Sequence, residues 1–314
     1  MLLMIVKKLS PQGGLRLNKN GIISLGEVIV DMISKDKTNK NFQPFLGGAT
    51  VNLAVGVKRL GVNSFYLCKL GTDETSEFVK ESFNNEEVCL DYCTHSSAKK
   101  NCKVYVHQDQ NGERVFHSYI NPTPNEWLTE NELAKELFDK GKIFYFGSGT
   151  LFHETSLKTT EKALDYANET NIFVAFDVNI RLKRWESEEQ CKKTITSFLN
   201  RADLVKMAEE ELLFLTESKE INEAIEKISK YNIPYLIITK GSAGACVYYD
   251  GKALCVPGVE VKAIDTTGAG DAFLAALLYC YHEKGRPNTS AQMEEFLHFA
   301  NQAGANATTR VGAL

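Results

Sequence analysis

The chemistry in this chain concentrates where small residues run straight into a helical pattern. Asp265-Thr266-Thr267-Gly268-Ala269-Gly270-Asp271 is followed at once by Ala272-Phe273-Leu274-Ala275-Ala276-Leu277-Leu278. Glycines let successive N–H groups turn toward one point, and a helix N-terminus adds the positive end of its dipole. Gly268, Ala269 and Gly270 could therefore form a phosphate or oxyanion site. Asp271 would stand beside that phosphate, able to accept the proton of an attacking alcohol while the amides stabilise charge on a transferred phosphoryl group. A glycine-rich turn with Asp271 as a plain N-cap fits the same residues, and the stretch alone does not separate the two.

Four other segments could join it. Gly47-Gly48-Ala49-Thr50-Val51-Asn52 precedes a helical pattern through Ala54, Val57 and Leu60. Its glycines would admit a ligand close to the backbone. Asn52 offers a donor and an acceptor to a polyol, and Asp31, at the end of an apolar strand, could accept from adjacent hydroxyls. In isolation, a tight turn with a satisfied Asn is the simpler reading. Thr239-Lys240-Gly241-Ser242-Ala243-Gly244 follows an apolar strand, at the sheet edge where open α/β folds bind ligands. No stretch matches the Walker motif or the dinucleotide fingerprint, which argues against a P-loop enzyme or a Rossmann dehydrogenase.

Asp177-Val178-Asn179-Ile180-Arg181 ends another strand. Arg181 could neutralise a transferring phosphoryl group or simply pair with a surface acid. Of Glu209-Glu210-Glu211, after Lys206, Glu211 could hold Mg²⁺ through water, or the triplet could serve the helix dipole. The six histidines show no metal spacing.

These segments need elements to hold them. Apolar runs at Ile22 to Val30, Ser64 to Lys69, Lys142 to Phe146, Ile172 to Asp177, Leu204 to Lys206, Tyr235 to Thr239 and Ala245 to Tyr249 read as strands. Between them lie amphipathic stretches at Thr50 to Leu60, Glu74 to Asn84, Glu130 to Asp139, Thr155 to Glu169, Glu188 to Leu199 and Ile221 to Tyr231. Asp271 to Lys284 and Ala291 to Ala307 follow. The alternation predicts βαβ units on a largely parallel sheet covered on both faces. Lys103 to His107 and Arg114 to Tyr119 alternate across Asp109-Gln110-Asn111-Gly112, which predicts a β-hairpin. With the segment from Asp31 to Phe45 it would stand off the main sheet. Residues 1–20 read as a solvated leader.

The chain has 314 residues, 36 Lys and Arg against 40 Asp and Glu, a net charge of −4 and 43% hydrophobic residues. That is a globular composition with no basic stripe for nucleic acid or anionic membrane, so a small-molecule partner is expected. Eight cysteines form no CxxC pair and sit mostly among apolar residues. Buried free thiols in a reducing cytoplasm are expected, without a disulfide frame or zinc site. Met1 to Val6 is too short for a signal peptide or a membrane span.

Taken together, the motifs resemble the ribokinase-like sugar kinases, the PfkB family, from Gly21 to Ala313. Gly47-Gly48-Ala49-Thr50-Val51-Asn52-Leu53-Ala54, with Leu60-Gly61 and Gly71-Thr72-Asp73, is similar to the first family signature, and Asp265 to Asp271 to the second. The resemblance implies one domain over 21–314, a three-layer αβα sandwich with a central mostly parallel sheet. A small β-lid from segments near 31–46 and 89–120 would complete it, with homodimerisation through that lid. It implies Asp271 as catalytic base and Gly268, Ala269 and Gly270 as anion hole. Asp31, Gly47, Gly48, Asn52 and Tyr119 would contact sugar. Lys206, Thr239, Lys240, Gly241, Gly244, Gly270 and Asn301 would contact ATP. Asp265, Thr267, Ala307, Arg310 and Gly312 match a K⁺ site seen in many members.

Within the family the sequence looks most like fructokinases, from Asp177 to Leu182 before Trp185, Ala202 to Lys206 before Glu209 to Glu211, and Asn121-Pro122. Ketodeoxygluconate kinases share several of these features. Both groups commonly place Arg after the Tyr of Tyr119-Ile120; Ile120 cannot grip a substrate carboxylate, which favours a neutral sugar. Val178, Asn125 and Ala208 stand where Pro, Asp and Asn are usual. Loss of the last leaves Glu211 as the metal-motif acid, so Mg²⁺ would be held mainly by ATP and water. The sequence stops at Leu314 where relatives usually continue, which leaves cation dependence open. The expectation is ATP- and Mg²⁺-dependent phosphorylation of the 6-hydroxyl of fructose. A ketodeoxygluconate, ribose or nucleoside kinase, or a non-catalytic sugar or nucleotide sensor on the same fold, are the alternatives.

Overall fold

The computed structural model describes residues 19–110 and 113–314. The expected leader therefore falls outside the described residues except for Lys19 and Asn20, and so do Asn111 and Gly112 in the expected hairpin turn. The main sheet has eight strands in the order Lys252–Val256, Ala245–Tyr249, Tyr235–Thr239, Leu204–Ala208, Phe173–Asp177, Ile143–Gly147, Ile22–Leu25 and Ser64–Leu67. Every pairing from Tyr235–Thr239 to Ser64–Leu67 is parallel, and the two strands at the other edge are antiparallel.

Continuous apolar runs such as Ile143-Phe144-Tyr145-Phe146 exist because both faces are covered. Phe144, Phe146 and Phe176 enter the core under Glu154–Glu169, Glu188–Phe198, Glu209–Thr216 and Ile221–Ser229. Ile143, Tyr145 and Ala175 face the opposite core, under Ala49–Arg59, Ala269–Lys284 and Ser290–Ala307. Among the described residues no helix is long and apolar enough to cross a membrane.

A second sheet of four strands, in the order Phe42–Gly47, Ile29–Ser34, Cys102–Gln108 and Arg114–Ile120, stands beside the first. Its register puts Phe45, Asp31, Val104 and Tyr119 in one cross-strand row, so these side chains share a face.

Several expectations need correction. Ile22 to Val30 is two strands in two sheets, turned apart at Gly26-Glu27-Val28, because Ile22–Leu25 pairs within the main sheet and Ile29–Ser34 within the small one. Glu130 to Asp139 is a 3₁₀ turn at Glu130–Glu132 and a short helix at Lys135–Phe138. There Glu132 caps Thr129 and is held by Lys69 at 3.0 Å, and Leu133 and Ala134 are extended. Residues 94–95 pair with Lys69–Leu70 in a separate ribbon outside the small sheet. Cys246 and Cys255 are not free thiols but a disulfide, because the hairpin of Ala245–Tyr249 and Lys252–Val256 puts them directly opposite each other. The other six cysteines are free.

One packing contact sets the site. A Cβ on Gly56 would come within 2.8 Å of the Ala275 Cβ, so Ala49–Arg59 and Ala269–Lys284 touch nearly backbone to backbone. One turn toward each N-terminus, Asn52 meets Asp271, so the helices run parallel and start at the same place. Gly56→Val should wedge them apart, at roughly 1–3 kcal/mol of overpacking. We expect a melting temperature lower by roughly 2–6 °C in thermal unfolding together with reduced turnover. Wild-type values of both would show that the close approach is dispensable.

Candidate active site

Gly268 caps the helix Ala269–Lys284 with φ 78°, a left-handed turn that suits glycine, and a Cβ there would strike Ala313 at 2.5 Å. The turn presents the first-turn amides of Ala269, Gly270 and Asp271 at the helix start, where the α-helical ladder supplies no acceptor. Ala269 N–H is drawn back to Thr266 O at 3.3 Å. The Asp271 carboxylate accepts from Asn52 Nδ2 at 2.7 Å. Burial pushes its carboxyl up to about 6, with the Asp177 carboxylate adding to the rise and the Asn52 hydrogen bond, Lys206 and Arg181 opposing it.

Asp177 and Lys206 end up together because their strands pair in register at those residues. Lys206 Nζ donates to Asp177 Oδ1 at 3.1 Å with both side chains buried, and lies 3.1 Å from where a Gly270 Cβ would be. Burial alone would lower the lysine, but Asp177, Glu211 and Asp271 raise it above its ordinary value, so it stays charged. The second carboxylate oxygen of Asp177 is buried without a hydrogen bond.

On the other side, Asp31 lies against Gly47, where any Cβ would meet Asp31 Oδ2 at 2.3 Å. Burial holds the Asp31 carboxyl up at about 6. Gly48, at φ 107°, caps the helix that carries Asn52. Tyr119 shares the face of Asp31 across the small sheet, whereas Ile120 falls on the opposite face and is exposed. Gly47 and Gly48 thus lead from Asp31 to the start of the helix whose Asn52 reaches Asp271.

The other expected residues fall in distinct places. Arg181 is exposed and donates to Ile180 O, and its charge is among those that lower the Asp271 carboxyl. Glu211 accepts from the backbone N–H groups of Ile180 at 2.6 Å and Ala208 at 2.8 Å, and burial raises its carboxyl. It therefore ties the Asp177 to Arg181 loop to the start of Glu209–Thr216. In the Thr239 to Gly244 turn, Lys240 pairs with Glu209 at 3.4 Å, and Gly241 and Gly244 both have positive φ. Asn301 donates to the carbonyls of Val256 and Pro257, fixing the loop after Lys252–Val256.

Asp265 accepts from the N–H groups of Thr267 at 2.9 Å and Gly312 at 3.0 Å, and Ile264 and Asp265 both donate to Thr308 O. This brings Asp265 and Thr267 alongside the chain that runs through Ala307, Arg310 and Gly312. Among the described residues, no group of three His, Cys, Asp or Glu side chains could hold a metal ion. Sequence reasoning missed Glu27, Lys99 and Arg184, which meet at the base of the small sheet. Only the nearness of Arg184 to Trp185 could have drawn attention to it.

A buried carboxylate facing two glycine turns and a helix N-terminus, on a mostly parallel sheet covered on both faces, defines a phosphotransferase that acts on an alcohol. The comparisons give the same answer. Residues 19–314 match the pfkB family of carbohydrate kinases, and the chain belongs to that family. A probable fructokinase-5 from Arabidopsis thaliana is 34% identical, with 93% of each chain covered. A fructokinase from Vibrio alginolyticus is 30% identical over 94% of this chain and 95% of its own. The structure of a fructokinase from Vibrio cholerae O395 with fructose, ADP and calcium ion superposes with TM-score 0.84 at 31% identity, covering 94% of both chains.

The site predicts a pH dependence. If Asp271 is the base it must be ionised, and kcat/KM should then fall as pH drops through about 6. The Asn52 hydrogen bond favours the ionised form. Asn52→Leu should therefore move the acid limb upward by roughly one unit. An acid limb left in place in that variant would remove Asn52 from control of Asp271.

Proposed function

We propose that the protein is an ATP-dependent fructokinase that transfers the γ-phosphoryl group of ATP to the 6-hydroxyl of D-fructose. The observation that carries this reading is the Asn52–Asp271 hydrogen bond, which holds a carboxylate of raised pKa at a helix N-terminus beside the sugar-side residues. Asp31, Gly47, Gly48, Asn52 and Tyr119 bind and orient the sugar, so that its primary hydroxyl lies against Asp271. Asp271 takes the hydroxyl proton, and the amides at 268–270 hold charge on the phosphoryl group in transit. Lys206, buried and charged beside Gly270, adds positive potential there, and Arg181 supplies a mobile counter-charge from the exposed loop. Thr239, Lys240, Gly241, Gly244 and Asn301 frame the nucleotide side. The small sheet acts as a lid that excludes water from the transfer.

Mg²⁺ fits this site as a companion of ATP. Both oxygens of Glu211 already accept backbone hydrogen bonds, and the free oxygen of Asp177 lies against the same cluster. The protein would reach the ion through water, and the ion would neutralise phosphate charge. Asp265, Thr267, Ala307, Arg310 and Gly312 are the residues for K⁺, a reading supported by the hydrogen bonds that bring 264–267 alongside 308–312. Homodimerisation through the lid is supported by Phe45, Val115, Phe116 and Ile120, large apolar residues exposed on the small sheet. The cytoplasm suits the six free thiols, while the Cys246–Cys255 bond stands apart from that expectation.

The test is ADP release and sugar phosphate formation with Mg-ATP and a panel of fructose, ribose, ketodeoxygluconate, glucose and adenosine. We expect fructose to dominate, and Asp271→Ala to lower kcat by about 10³-fold or more while sugar affinity changes only a few-fold. Preference for another acceptor would correct the substrate and keep the mechanism. Near-normal turnover of the Asp271 variant would overturn the role of the base.

A further inference from the structure

The base of the small sheet carries a cluster that the reaction as described does not use. Arg184, just beyond the Asp177 to Arg181 loop of the main sheet, reaches across to the small sheet and donates from Nη2 to Tyr119 Oη at 3.0 Å. Its guanidinium lies 4.1 Å from the centre of the Phe152 ring and 4.9 Å from that of Tyr119, so it is packed between an aromatic ring of the body and one of the small sheet. Although charged, it is only one-fifth exposed.

Its counter-charge is Glu27, at the bend where the chain leaves the main sheet for the small one. Glu27 Oε1 accepts from Lys99 Nζ at 2.5 Å, while Oε2 is buried without a hydrogen bond and lies 3.7 Å from Arg184 Nη2. Tyr119 Oη donates onward to Cys102 Sγ at 3.1 Å. Cys102 pairs in register with Ile29, the first residue of the strand that carries Asp31. Arg184 thus bonds to the one row of the small sheet that carries both Tyr119 and Asp31.

Resting on the sugar-kinase reading above, we propose that Arg184 is a positioning residue for the acceptor sugar, acting through Tyr119. It locks the Tyr119–Asp31 row of the small sheet against the body. A planar guanidinium stacked on Phe152 and donating in its own plane can do this; a flexible ammonium cannot hold both contacts. Setting this row is what fixes Asp31 against the sugar hydroxyls and keeps water out of the closed cleft.

The test uses the full chain with ATP and D-fructose, or whichever acceptor the wild type phosphorylates, so failure of the fructose assignment is read separately from failure of this proposal. For Arg184→Leu we expect the sugar KM to rise about tenfold or more while the ATP KM stays within about twofold. ADP formed without matching sugar phosphate should rise several-fold. Arg184→Lys should not restore the wild-type values. Tyr119→Phe, which removes only the hydroxyl, should reproduce the sugar KM and coupling defects, and the double variant should be no worse than the worse single one. Unchanged sugar KM and coupling, equal shifts in both KM values, or additive effects in the double variant would overturn the proposal. If Arg184→Leu does not fold, Arg184→Lys decides by the same split: a raised sugar KM with uncoupling supports the proposal, and wild-type values of both overturn it.

Discussion

A carboxylate that must act as a base cannot be fully solvated, or it is too weak a base, and cannot be buried alone, or it stays protonated. The site meets both constraints with Asp271 at the meeting point of two parallel helices. The N-terminal ends of Ala49–Arg59 and Ala269–Lys284 both bring positive dipole potential to the spot where Asp271 is ionised. Asn52 adds a hydrogen bond and Lys206 a full charge, while Asp177 and burial push the other way. Charges opposing one another across a few ångströms leave the carboxyl near 6. It is ionised at neutral pH yet far more basic than a surface aspartate.

That balance depends on the sheet. Asp177 and Lys206 are cross-strand partners at the C-terminal edge of parallel strands, and Gly147 and Ala208 occupy the same edge. In such a sheet the loops leaving that edge are the ones free to carry ligand contacts. The Thr239 to Gly244 turn and the Asp177 to Arg181 loop both start there. Glu211 joins the second of these to the next helix through two backbone hydrogen bonds, so the loop bearing Arg181 is fixed at Ile180 while the guanidinium itself remains exposed.

Much of this was legible because it is local. Strands with uninterrupted apolar runs announced a doubly covered parallel sheet, and the two glycine turns named the helices that converge. What stayed hidden was long-range. Nothing in the order of residues says that Asn52 and Asp271 touch, since 219 positions separate them. Glu27 gave no signal and Arg184 only its nearness to Trp185, because each is an ordinary charged residue until the fold buries it. The Cys246–Cys255 bond was missed because nine residues of spacing carry no motif, whereas the register of a hairpin makes the two opposite. Ile22 to Val30 misled for the opposite reason. One apolar run served two sheets, and composition cannot report a change of partner.

The two sheets divide the labour of the reaction. On the proposed reading the base, the anion hole and Lys206 all belong to the main sheet and its helices, whose cores are closed on both faces. Asp31 and Tyr119 belong to the small sheet, which joins the body through the bend at Gly26-Glu27-Val28 and through side chains such as Arg184. Donor-side geometry is then set by packing and is intrinsically stiff. Acceptor-side geometry is set by a few polar and stacking contacts across a boundary, and those can be made and broken without disturbing a core. On the proposed reading sugar and nucleotide both exchange at every turnover, and Asp271 is held on the side where packing rather than a few boundary contacts sets its place.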